Sequence, residues 1–109
     1  MKFSISNPHF NLPDLARRIS YKPIGYTERK ELNAVRSIAG DYPRFHAYIT
    51  EEKGMVNFSL HLDQKRPVYE GSTAHNGDYD SEIVQEEAKR IKEILASAKP
   101  GKVNPFAPD

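Results

Sequence analysis

Arg44-Phe45-His46-Ala47-Tyr48-Ile49-Thr50 and Met55-Val56-Asn57-Phe58-Ser59-Leu60-His61-Leu62-Asp63 are the stretches that decide the fold of this 109-residue chain. Each alternates apolar and polar residues with the two-residue period of a strand lying on a core. Phe45, Ala47 and Ile49 form one apolar set, and Val56, Phe58, Leu60 and Leu62 form the other. The short polar link Glu51-Glu52-Lys53-Gly54 makes an antiparallel hairpin the economical connection, through a tight turn of two or four residues. With the apolar sets together, His46, Tyr48, Thr50, Asn57, Ser59, His61 and Asp63 share the opposite, polar face.

Working back from the hairpin, Glu31 to Ala39 predicts a strand of poor alternation, because Leu32, Ala34 and Ile38 share a face with Arg36. Tyr21 to Lys30, carrying Pro23 and Gly25, predicts a loop. Leu12, Leu15, Ala16 and Ile19 recur at helical spacing behind Asn11 as cap, with Pro13 and Asp14 in the first turn. Lys2 to Ser6 alternates again, so a first strand is expected before Asn7-Pro8. Working forward, Val84, Ala88, Ile91, Leu95 and Ala98 make the stripe of an amphipathic helix that starts at Asp80 or Ser81 and ends by Pro100-Gly101.

The expected fold class is therefore α+β: two layers, with an antiparallel sheet of three to four strands in β-α-β-β-β-α order and both helices packed on one face. Residues 1–101 form the single domain and 102–109 a C-terminal tail.

Composition narrows the function. A 38% hydrophobic and 28% charged chain is globular, and its net charge of +1 supplies no strong field for a nucleic acid. The lack of cysteine excludes disulfides, thiol nucleophiles and thiolate zinc sites. No apolar run reaches the roughly 20 residues of a membrane span and no signal-peptide pattern is present, so the expected location is the cytoplasm, without membrane contact.

The connection from Asp63 to Asp80 exceeds the length that small domains usually leave structureless without a use for it. It joins the polar hairpin face to the last helix. His46, Tyr48, His61, Asp63, Lys65, Arg66, Tyr69 and His75 are accordingly the expected binding residues, for a protein or small-molecule partner that the sequence leaves unnamed. The reading is a small binding module with no catalytic residue assigned.

Its alternative is a metal-dependent hydrolase. His61, Asp63, His75 and Asp78, with His46 and Asp80 near them, offer the imidazole and carboxylate ligands that a divalent metal such as zinc takes when thiolates are absent. A metal-free version would orient His61 or His75 by Asp63 or Asp78 toward a hydroxyl of Tyr69, Ser72 or Thr73. Neither matches an established catalytic motif.

A third reading is RNA binding. Arg17, Arg18, Tyr21, Lys22, Tyr26, Arg29 and Lys30, followed by Tyr42, Arg44, Lys65 and Arg66, supply cations and stacking rings. The helix-strand-strand-strand-helix order resembles that of double-stranded RNA-binding domains, which implies RNA as a partner. Those domains pass almost directly from the third strand into a helix with a basic start, whereas this chain inserts a long connection and opens its helix with Glu82 and Glu86.

Overall fold

The computed structural model describes residues 1–7, 9–64, 77–78 and 80–98. In chain order the elements are β1 (Lys2–Ser6), α1 (Leu12–Arg18), β2 (Lys22–Tyr26), β3 (Leu32–Ser37), β4 (Arg44–Glu52), β5 (Met55–Asp63), β6 (Gly77–Asp78) and α2 (Glu82–Ser97). All strand pairs are antiparallel, in the order β1-β5-β4-β3-β2, and the two-residue β6 also pairs with β5. The α+β class is thus as expected, with five main strands where three to four were.

The hairpin forms as its alternation requires. Phe45 stands opposite Leu62, Ala47 opposite Leu60 and Ile49 opposite Phe58, while His46 faces His61 across the ladder. Lys53 and Gly54 close it, both with positive φ (55° and 80°), the combination of a type I′ turn whose twist suits paired strands. Leu32 and Ala34 of β3 stand opposite Ile49 and Ala47 and extend the apolar face.

Leu15 and Ala16 of α1 and Val84, Ala88, Ile91 and Leu95 of α2 are buried in one cluster with these residues. Both helices therefore close the core from the same side. α1 lies over β2 to β4 and α2 over β5. Among the described residues, no helix is long and apolar enough to cross a membrane.

The loop expected over Tyr21 to Lys30 is corrected by β2. This is an edge strand, where proline is tolerated because the side facing away from the sheet needs no N–H. Its register shifts between Pro23 and Gly25, and Ile24 and Tyr26 are exposed, so no alternation marks it in the sequence. The strand expected over Glu31 to Ala39 is trimmed to Leu32–Ser37. Gly77 and Asp78, within the connection expected from Asp63 to Asp80, pair with Asp63 and Leu62 and continue the edge beyond β1. The 102–109 tail lies outside the described residues.

Arg36 explains the poor alternation of β3. On the core face, its Nε and Nη2 donate to Glu87 of α2 at 2.9 and 2.7 Å. Arg90 donates to the same carboxylate through two nitrogens, each at 2.9 Å, and the Tyr21 hydroxyl donates at 2.7 Å. Tyr21 is consequently buried in the core and is not a stacking surface residue. Burial, then the adjacent Glu87 carboxylate, pushes its phenol far above the ordinary tyrosine range.

At the start of α1 the Asn11 side chain accepts from the Asp14 N–H at 2.9 Å, satisfying one of the amides that a helix leaves unpaired. Asn11→Ala is expected to lower stability by about 1 kcal/mol in urea unfolding followed by circular dichroism. A change within about 0.2 kcal/mol would mean that the cap is replaced by water at no loss.

A candidate histidine-aspartate site on the sheet

The face of the sheet away from both helices gathers its polar groups at the β3-β4-β5 centre. His46 lies between Val35 of β3 and His61 of β5, and Arg44 stands opposite Asp63. Strand alternation puts His61 and Asp63 on one side, and the ladder sets Asp63 diagonally from His46. The Asp63 carboxylate joins the two rings: Oδ2 lies 3.2 Å from His46 Nδ1, and Oδ1 lies 2.9 Å from His61 Nε2.

The rest of the cluster holds these groups in place. His46 Nε2 meets Asn33 Oδ1 in a direct hydrogen bond. The His46 ring centroid is 4.7 Å from that of Tyr48 and 4.8 Å from that of His61. Arg44 Nε approaches Asp63 Oδ2 to 3.5 Å, an ion-pair distance without hydrogen-bond geometry. The side chains of His46, His61 and Asp63 are 11%, 12% and 22% exposed, shielded enough to strengthen their interactions yet within reach of a ligand.

Burial raises the Asp63 pKa, but hydrogen bonds from His46 and His61, with their nearby charge, more than offset it. The carboxyl is held well below the ordinary range. Ionised, Asp63 has acceptors only.

His46 then has an acceptor at each nitrogen, Asn33 Oδ1 at Nε2 and Asp63 Oδ2 at Nδ1. One coordinating atom from each of His46, His61 and Asp63 lies within 4.8 Å of the others, so these three could hold a metal. Beside them, Lys2, Ser4, Tyr48, Thr50, Asn57 and Ser59 line a shallow polar concavity with Tyr48 as the adjoining wall.

Of the residues expected from the sequence, His46, Tyr48, His61 and Asp63 come together here. Lys65, Arg66, Tyr69 and His75 lie outside the described residues. Asp78 occupies the register position opposite Leu62, next to the pairing of Gly77 with Asp63. Asn33 was not anticipated, because its place beside His46 depends on the β3-β4 register. Arg44 was read only as a surface cation.

No protein-family model, curated protein or solved structure matches the chain.

Proposed function

We propose that this protein is a small binding module whose recognition surface is the polar face of β3, β4 and β5, together with the connection that leaves β5 at Asp63. The observation that carries this reading is the cluster of two imidazoles, a carboxylate and an aromatic ring on the side of the sheet that the core does not need. The helices close the apolar layer from the other side. Shielded polar groups are costly unless fully partnered, so a cluster of this kind adds little as packing and much as a ligand-reading surface.

A metal-dependent hydrolase is the second reading. It draws support from the meeting of three ligands, the number commonly used by catalytic zinc alongside water. RNA binding draws less support. Arg17 pairs with Asp14 and Arg18 sits over the Phe10 ring, both on α1, across the sheet from Arg44.

Amide chemical-shift mapping with a fragment library, a short RNA duplex and divalent metal chlorides tests the surface. Perturbations are expected at Asn33, Val35, His46, Tyr48, Ser59 and His61, with Arg17 and Glu86 silent. Shifts confined to the helical side, or none with any probe, would remove this reading.

A further inference from the structure

We infer that His46, His61 and Asp63 form a binding site for one divalent transition-metal ion, an assignment that rests on the polar face being the recognition surface. The donor set selects the class of ion. Two imidazoles and one carboxylate suit zinc, cobalt, nickel or copper, whereas magnesium and calcium favour oxygen ligands.

The geometry is close to what such an ion needs. Bonds of about 2.0–2.1 Å in a tetrahedron put neighbouring ligand atoms roughly 3.3 Å apart. The Asp63 oxygens already stand 3.2 and 2.9 Å from the nearest nitrogens of His46 and His61, and the whole set spans 4.8 Å. Side-chain rotations that close the set by about 1.5 Å complete it, on neighbouring strands whose register fixes the Cα positions.

The contacts of His46 fit the same role. When Nε2–H donates to Asn33 Oδ1, Nδ1 keeps its lone pair for a metal ion held together with the Asp63 carboxylate. Asn33 then serves as a positioning residue, fixing the tautomer of a metal-bound histidine from the far side of the ring. Three protein ligands leave a fourth position for water or for a donor atom of a bound molecule.

Arg44 works against the ion. Its guanidinium lies by Asp63 and competes for the carboxylate. Its removal should therefore tighten metal binding, the opposite of what removing any other member of the cluster should do.

Calorimetric titration of metal-free protein with Zn²⁺, and visible spectra with Co²⁺, read the site. One equivalent is expected to bind, with the intense bands of tetrahedral cobalt and no comparable uptake of Mg²⁺ or Ca²⁺. His61→Ala and Asp63→Asn should each weaken binding at least tenfold, Asn33→Ala by about 10- to 100-fold, and Arg44→Gln should strengthen it severalfold.

Circular dichroism checks that each variant folds. Should the ligand variants unfold, Co²⁺ broadening of amide signals in the wild-type protein decides instead: broadening centred on His46, Tyr48 and His61 supports the site, and broadening centred elsewhere overturns it. Absence of binding at millimolar Zn²⁺, or affinity unchanged in folded His61→Ala and Asp63→Asn, also overturns it. If metal fails while a fragment or RNA shifts the same face, the metal assignment falls and the recognition surface stands. If metal binds elsewhere and that face stays silent to every probe, both fall.

Discussion

Phe58→Ala is expected to lower stability by about 3–5 kcal/mol, a large part of the roughly 5–15 kcal/mol that holds a domain of this size together. The ring is 2% exposed at the middle of β5, the strand that pairs with β1, β4 and β6. It stands opposite Ile49 on one side and Phe3 on the other, stacking on Phe3 with centroids 4.8 Å apart and planes 7° from parallel. Truncation removes the transfer energy of a whole ring and leaves a cavity that two flanking strands cannot close. Phe58→Leu, which keeps most of the volume, should lose far less. Urea unfolding monitored by circular dichroism measures both. A loss below about 1 kcal/mol for the alanine variant would contradict the burial.

Glu87→Ala should cost about 3 kcal/mol, the lower end for breaking a buried ion pair, because the Arg36 and Arg90 side chains are 28% and 31% exposed and reach water once released. The variant also leaves the buried Tyr21 hydroxyl without its acceptor. Replacing Arg36 and Glu87 together by leucine should cost less than Glu87→Ala, since Arg36 no longer loses its partner and apolar volume fills the place of the pair, while Arg90 turns to water and the Tyr21 hydroxyl stays without its acceptor. A double variant no better than the single one would show that the network is not a pairwise unit.

The same carboxylate makes a pH prediction. Burial pushes the Glu87 pKa up, but hydrogen bonds from Arg90, Arg36 and Tyr21 bring it below its ordinary value. A folded-state pKa below the unfolded one stabilises the fold fully above the ordinary carboxylate range, and that contribution is lost as pH falls through the folded value. Glu87→Gln should therefore flatten the acid limb of the stability profile while losing stability near neutrality. An acid limb of unchanged steepness would assign the dependence to Asp63 and other carboxylates.

The hairpin was legible because its two strands alternate independently and are joined by a turn too short for any other connection. That reading carried His46, Tyr48, His61 and Asp63 to one face. What stayed hidden depends on distant pairing. Arg36 looked like an error in the apolar face of β3, and Glu87 lies in the apolar stripe of α2 three residues after Val84. Opposite charges on two buried faces were the available signal that the elements meet. β2 escaped because exposure on an edge removes the periodicity on which strand reading rests. Asn33 needed the β3-β4 register, which local pattern does not specify.

The two-residue turn at Lys53 and Gly54 sets the cluster and the core together. Arg44, His46, His61 and Asp63 belong to one uninterrupted segment folded back at that turn, roughly 20 Å from the imidazoles by strand rise. An inserted residue taken up as a three-residue loop leaves every pairing as it is. Passed into the ladder instead, it turns His61 and Asp63 toward the core and Val56, Phe58, Leu60 and Leu62 out of it. The register that joins the three side chains is the one that seats the helices, so the cluster is assembled wherever the domain is folded.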